Sequence, residues 1–139
     1  MEIFSYVLED TLKHADSMGN SRDLKPGQVH LMSAGSGVTQ SEFNPSRAGD
    51  THLLQIWILP HRRGLVPTCT ECHPSGATAG AKTLVISPDG RDQSATIRQD
   101  AFVYRLLLAP GDGASPENAD THGLSAFDAT LEALLFDLA

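Results

Sequence analysis

The sequence predicts an all-β protein, a sandwich or barrel. Short runs of β-branched, aromatic and aliphatic residues recur along the chain, and Gly, Pro, Asn and Asp punctuate them at close intervals. No internal repeat at solenoid spacing and no low-complexity tract competes with that reading.

Ile3 to Leu8 is the first β-type run, Glu9-Asp10 reads as a turn, and Thr11 to Ala15 begins a second strand, so the two are expected to form a hairpin. Residues 16–26 carry turn chemistry. Gly19-Asn20 accepts positive φ, and Pro26-Gly27 suits a type II turn. Val29 to Met32 reads as a strand followed by a glycine loop, Ser33 to Gly37, in which Gly35 and Gly37 supply backbone freedom where the chain packs against itself. His52 to Leu59, ended by Pro60, is expected to be the strongest core strand, with Trp57 as a core anchor.

Residues 60–81 hold Pro60, Pro67, Pro74, Gly64, Gly76 and Gly80 without periodicity and read as an extended linker. A second β block follows: Thr83 to Ser87, a Pro88-Asp89-Gly90 turn, Ala95 to Arg98, and Ala101 to Leu108 with Phe102 as a core anchor. Residues 109–123 form a polar loop. Leu131 to Leu138 reads as a final strand, with a short amphipathic helix over Ala126 to Leu135 as the alternative.

Length and charge narrow the function classes. At 139 residues the chain is one domain, or one and a fraction, long enough for a core without staples. Its 40 % apolar and 19 % charged content is ordinary globular composition rather than disorder. A net charge of −7 argues against direct nucleic-acid contact, because His61-Arg62-Arg63 is the only basic cluster. No apolar run approaches the roughly 20 residues of a membrane-spanning helix. Met1 to Tyr6 lacks a basic leader and a cleavage-type site, so a soluble, cytoplasmic protein is expected.

Several residues carry potential chemistry. Cys69-Thr70-Glu71-Cys72-His73 matches the attachment pattern of c-type haem, half a zinc site or a redox pair. With no export signal, no helical context and no second Cys pair, the preferred reading is two linker thiols. His14, His30 and His52 have no fixed spacing and are expected to be surface or hydrogen-bonded structural residues, although His14 and His30 could point inward. Gly35-Ser36-Gly37 lacks the Lys-Ser/Thr of a phosphate loop, and Ser41 has no His partner that would make it a nucleophile. Asp89, Asp92, Asp100, Asp112, Glu117 and Asp120 read as a solvated acidic face.

A resemblance adds to this reading. Leu24 to Pro45, which includes Ser33-Ala34-Gly35-Ser36-Gly37 and Gln40-Ser41-Glu42, together with Asp16-Ser17-Met18-Gly19-Asn20 and Leu54-Gln55-Ile56-Trp57-Ile58, resembles the pirin family of cupins. That family includes quercetin 2,3-dioxygenase-like enzymes. The resemblance implies a jelly-roll cupin barrel with a partial second β unit. Residues 1–59 would be an incomplete N-terminal cupin, 60–81 a linker, and 82–139 a shortened second cupin unit.

It also implies a metal, iron or else nickel or manganese, held by a His-x-His pair, a third His and a Glu. The pair is expected to fall before Met1, the third His position is Gln40, and Glu42 is the one surviving metal ligand. In such an enzyme the metal activates a flavonol or dioxygen inside the barrel. With most ligands absent, the expectation is that no metal is held and that the chain is catalytically inactive. The alternatives are a non-catalytic protein-interaction module or a decayed gene fragment. Exposed sheet edges lead to an expected homodimer or a protein partner, with no membrane contact.

Overall fold

A computed structural model describes residues 1–74, 80, 82–114, 124–125 and 130–138. In chain order the strands are β1 (Glu2–Glu9), β2 (Leu12–Asp16), β3 (Ser21–Leu24), β4 (Val29–Ser33), β5 (Gln40–Phe43) and β6 (His52–Ile58). They continue with β7 (Thr68–Cys72), β8 (Lys82–Ser87), β9 (Ala95–Thr96), β10 (Ala101–Leu108), β11 (Gly113–Ala114), β12 (Leu124–Ser125) and β13 (Leu131–Leu138). Apart from a 3-10 turn at Arg91–Gln93, the described elements are all β, as the sequence leads one to expect.

Three sheets are layered. The central sheet has the order β6-β1-β4-β7; a three-stranded sheet, β3-β2-β5, lies on one face of it, and β13-β10-β8-β9 lies on the other. Side chains alternate across a strand, so the two faces of the central sheet build two different interiors. Phe4, Tyr6, Val29, Leu31 and Cys72 pack with Val85, Ile86, Ala95, Ile97, Ala101 and Val103 in the main apolar core. On the opposite face Val7 joins Leu12 and Leu24, with Leu53 packed beside them, in a smaller cluster. The rest of that second interior is polar and forms the candidate site. Across the main core, Tyr6 Oη donates to Glu132, whose Oε1 also accepts from Arg105 Nε at 2.7 Å. Burial pushes the Tyr6 phenol well above its ordinary range, and the Glu132 carboxylate adds to the shift.

Several expectations are corrected. β1 and β2 are not a hairpin: β1 pairs with β4 and β6, whereas β2 pairs with β3 and β5. Asp10, at φ +60°, turns the chain from one sheet into the other. Within the stretch read as turn chemistry, Ser21–Leu24 is strand β3. Within the expected linker, Thr68–Cys72 is strand β7, antiparallel to β4. Pro67 sits just outside it and Pro74 two residues beyond, so neither removes a ladder donor.

β6 forms as expected but is not a core strand. It lies at the edge of the central sheet, and Trp57 is 60 % exposed because no described element covers it. Phe102 is only partly buried, with the Arg91 guanidinium 4.8 Å from its ring centre. The 95–98 strand shrinks to Ala95–Thr96, and Leu131–Leu138 is a strand rather than part of a helix. Residues 126–129 of the helical alternative lie outside the described residues, as do 115–123 of the expected loop.

The turn expectations fare better. Gln28 N donates to Lys25 O at 3.0 Å with Gly27 at φ +80°, as a type II turn requires. Gly35 sits at φ +51°, and a Cβ there would lie 2.1 Å from Leu65 O. Gly35→Ala is therefore expected to lower stability by about 1–3 kcal/mol from the backbone conformation alone, with the clash adding to it. Gly49→Ala, where a Cβ meets only Asp10 Oδ2 at 3.5 Å, should change little. Urea unfolding midpoints of the two variants check this, provided the slope is unchanged.

Candidate functional site

The polar interior lies between the central sheet and the β3-β2-β5 sheet. Register fixes its members. On the central sheet, Gln55, Ser5, His30 and Glu71 form one cross-strand row, and Trp57, Ile3, Met32 and Cys69 form the next. On the facing sheet Glu42, His14 and Arg22 form one row, and Gln40 lies opposite Asp16 in the adjacent one. Alternation sends these side chains to the face opposite the main core.

Glu42 sits at one end of the interior. Its Oε1 accepts from Ser5 Oγ at 2.6 Å and its Oε2 from Gln55 Nε2 at 2.7 Å. Gln55 Oε1 in turn accepts from Trp57 Nε1 at 2.9 Å. Both oxygens of the expected ligand are thus engaged by neutral donors.

Next to it, the His14 and His30 rings stack with centroids 4.0 Å apart and planes inclined at 40°. His14 Nδ1 stands 3.6 Å from Glu42 Oε1, and His14 Nε2 stands 3.7 Å from Asp16 Oδ2. Both distances are too long for hydrogen bonds. Both nitrogens of His14 and Nε2 of His30 are buried without a partner. The expectation of surface or hydrogen-bonded histidines is corrected for these two, which are 0 % and 2 % exposed. His52 is exposed, at the start of the edge strand. Burial, and next the neighbouring His14, lower the His30 pKa to about 4 against the pull of Glu71, Glu42 and Asp16.

Asp16 and Cys69 close the other end. Asp16 Oδ1 accepts from Met18 N at 2.9 Å and Asn20 N at 3.1 Å; Oδ2 accepts from Asn20 Nδ2 at 2.8 Å and Cys69 Sγ at 3.3 Å. Burial works against the charged form of Asp16, yet the hydrogen bonds from Asn20, Cys69 and Met18 hold its carboxyl well below the usual range. Burial and the Asp16 hydrogen bond push the Cys69 thiol up to about 12. A cavity of about 270 Å³ opens here, lined by Asn20, Arg22, His30, Cys69, Thr70 and Glu71. Arg22 Nε and Glu71 Oε1 pair at 3.2 Å.

Cys69 and Cys72 are both free thiols. Three residues apart on β7, they point to opposite faces. Cys72 is buried in the main core and its thiol is pushed up by that burial. The pair therefore has neither the geometry of a disulfide nor that of a shared metal ligand.

A metal at Glu42 fits poorly. Gln40 is a neutral amide. Among the described residues, no three His, Cys, Asp or Glu side chains form a group that could hold a metal ion.

The layered β architecture and polar interior are those of a cupin. Residues 1–58 match the family model described as Pirin, and residues 84–122 match the one described as Quercetinase C-terminal cupin domain. The crystal structure of YhhW from Escherichia coli superposes with a TM-score of 0.86 at 34 % identity, over 99 % of this chain and 71 % of that one. The structure of the same bacterial pirin in complex with nickel(II) gives 0.83 at 33 % identity, over 99 % and 72 % of the two chains. Quercetin 2,3-dioxygenase of Escherichia coli (strain K12) is 47 % identical over 108 residues, which are 78 % of this chain and 46 % of that protein. The chain belongs to the pirin family of the cupins. It spans about half the length of the curated relatives it matches.

Sequence reasoning located Glu42 and Gln40 and raised the inward option for His14 and His30, but missed Ser5, Gln55, Asp16 and Cys69 as cavity groups. Their signal is a polar side chain at one period-2 parity inside an otherwise apolar run, as in Ile3-Phe4-Ser5-Tyr6-Val7 and Leu53-Leu54-Gln55-Ile56-Trp57.

The buried, neutral His30 carries a pH prediction. Burial holds its pKa at about 4 in the folded chain, against the ordinary 6.5 of an exposed imidazole. Between those values the unfolded chain binds more protons, so stability falls as pH falls through this window. The loss is on the order of 1 kcal/mol per pH unit. Urea unfolding at pH 7 and pH 4.5 should show the decrease, and His30→Gln should flatten it.

Proposed function

We propose that this chain forms a pirin-type cupin unit whose cavity is not a dioxygenase centre. The observation that carries this is the state of Glu42: both carboxylate oxygens are held by Ser5 and Gln55, and Gln40 beside it is neutral. A catalytic mononuclear site needs about three protein ligands and an open position. Nickel is bound by the YhhW structure; for this chain, iron, nickel or manganese at Glu42 lacks the donor set. Elemental analysis of the purified chain should find no stoichiometric iron, nickel or manganese that Glu42→Ala removes, and flavonol should not turn over. Metal lost in that variant, together with flavonol oxidation by the parent chain, would overturn the reading.

The second reading is an interaction module, favoured by β6. This strand is paired on one side only among the described strands, and Leu54, Trp57 and the following Leu59 are exposed. We read the two units, residues 1–59 and 82–139, as joined by a segment, 60–81, that lends β7 to the first. We place the protein in the cytoplasm, where its unpaired thiols stay reduced. The partner favoured is a second copy adding along the β6 edge, since an uncovered apolar edge strand pairs readily. Light scattering coupled to sizing should report a dimer that Trp57→Lys weakens. A stable monomer at high concentration counts against it.

A further inference from the structure

One layer of side chains crosses the polar interior from Glu42 to Arg22. Glu42 takes Ser5 and Gln55, His14 stacks on His30, and Arg22 pairs with Glu71 at 3.2 Å between β3 and β7. The cavity of about 270 Å³ lies at this last end, lined by Asn20, Arg22, His30, Cys69, Thr70 and Glu71. His30 is the one buried residue of that lining, and its Nε2 has no partner among the described residues. Glu71, opposite His30 in the β4-β7 register, shares its face.

The hydrogen-bonding inventory of the lining is one-sided. Its inner donors are spent: Cys69 Sγ donates to Asp16 Oδ2 at 3.3 Å, Asn20 Nδ2 to the same oxygen at 2.8 Å, and Thr70 Oγ1 to Thr96 O at 3.4 Å. At the rim Arg22 gives Nε to Glu71 Oε1 and Nη1 to Ser21 O. Acceptors remain. With Nδ2 turned to Asp16, Asn20 Oδ1 accepts from no described residue. A neutral imidazole with its proton on Nδ1 offers a lone pair at Nε2. The Glu71 oxygens meet Arg22 and His73, yet a carboxylate has about four lone-pair sites and keeps capacity beyond these two contacts.

We propose that this cavity binds a small organic cation, a primary ammonium, whose N–H groups are accepted by His30 Nε2, Asn20 Oδ1 and the Glu71 carboxylate. An ammonium carries three donors and no acceptor, the complement of this lining. Charge points the same way. Glu71, Glu42 and Asp16 each favour a positive charge at the His30 ring, but burial and then His14 keep the imidazole neutral, with a pKa of about 4. Arg22, the cation of the lining, is held by Glu71. A ligand that brings its own charge answers a field that the interior leaves open. Volume limits what the ammonium carries: about 270 Å³ lies below the roughly 300–1,000 Å³ of drug-sized sites, which suits a short chain rather than a fused ring system. Binding needs no covalent or redox step and does not rest on the reading of Glu42 given above.

Butylammonium titrated into the purified chain at constant ionic strength tests this, with butanol and butyrate as neutral and anionic counterparts of the same chain length. Magnetic resonance of the histidine ring nitrogens and the β7 amides reads the site directly. The expected result is a saturable, one-to-one shift at His30 and at the Cys69 to Glu71 amides with butylammonium, and none with butanol or butyrate. Glu71→Gln should weaken binding roughly tenfold or more, as loss of a charged acceptor does. His30→Leu should abolish the shift at the β7 amides; if that variant fails to fold by circular dichroism, Glu71→Gln carries the test. Asp89→Asn, which removes an exposed carboxylate paired with Arg91, should leave the affinity unchanged. The proposal is overturned if butylammonium gives no saturable shift at His30, if butanol or butyrate binds equally well, or if Asp89→Asn weakens binding as much as Glu71→Gln.

Discussion

Strand β1 lies between two interiors, and the alternation of its side chains decides what each is made of. Phe4 and Tyr6 enter the apolar core shared with the β13-β10-β8-β9 sheet; Ile3, Ser5 and Val7 face the β3-β2-β5 sheet. Glu2 shares the parity of Phe4 and is fully buried, accepting from Ser33 Oγ at 2.7 Å and from Arg98 N at 3.0 Å. That carboxylate ties the central sheet to the chain leaving β9. A one-residue slip of β1 would send Phe4 and Tyr6 into the polar cavity and Ser5 into the apolar core, so every partner strand constrains the register.

The same alternation explains why the second interior is polar. An apolar filling there would make a two-core sandwich with nothing to bind. Instead Ser5, His14, Asp16, His30, Glu42 and Gln55 converge, and their hydrogen bonds are unevenly distributed. Glu42 is fully engaged, whereas the imidazoles between Glu42 and Asp16 are not. Buried polar groups are nearly always paired, and an interior that leaves three ring nitrogens unpaired is built for more than packing.

How far the sequence spoke depended on the range of the signal. Turn chemistry at Lys25-Pro26-Gly27-Gln28 and the close approach at Gly35 are local, and both were legible. β8 and β10 were legible because their apolar runs are bounded by turn residues, whereas the run of β13 also admitted a helix. Pairing was not: Glu9-Asp10 looks like a hairpin turn, but β1 is claimed on both edges by β4 and β6, which leaves no edge for β2. Trp57 misled because apolar content marks a strand without marking what covers it. Of the site, Glu42 was visible through the family resemblance, but Cys69 was masked by its pairing in sequence with Cys72, which β7 turns to the opposite face.

The two ends of the cavity differ in how their carboxylates are held, and this difference separates their chemistry. Glu42 is bound by a hydroxyl and an amide, Ser5 Oγ on one carboxylate oxygen and Gln55 Nε2 on the other, so both oxygens are taken by neutral donors. Asp16 is oriented by backbone and side-chain donors from its own turn, Met18 and Asn20, so its position is set before Cys69 contributes. The thiol of Cys69 adds a hydrogen bond to the Oδ2 that Asn20 Nδ2 already engages. With both carboxylates held by their own donors, the hydrogen-bonding capacity this cavity has to spare lies between its two ends, on the His14 and His30 nitrogens that have no partner.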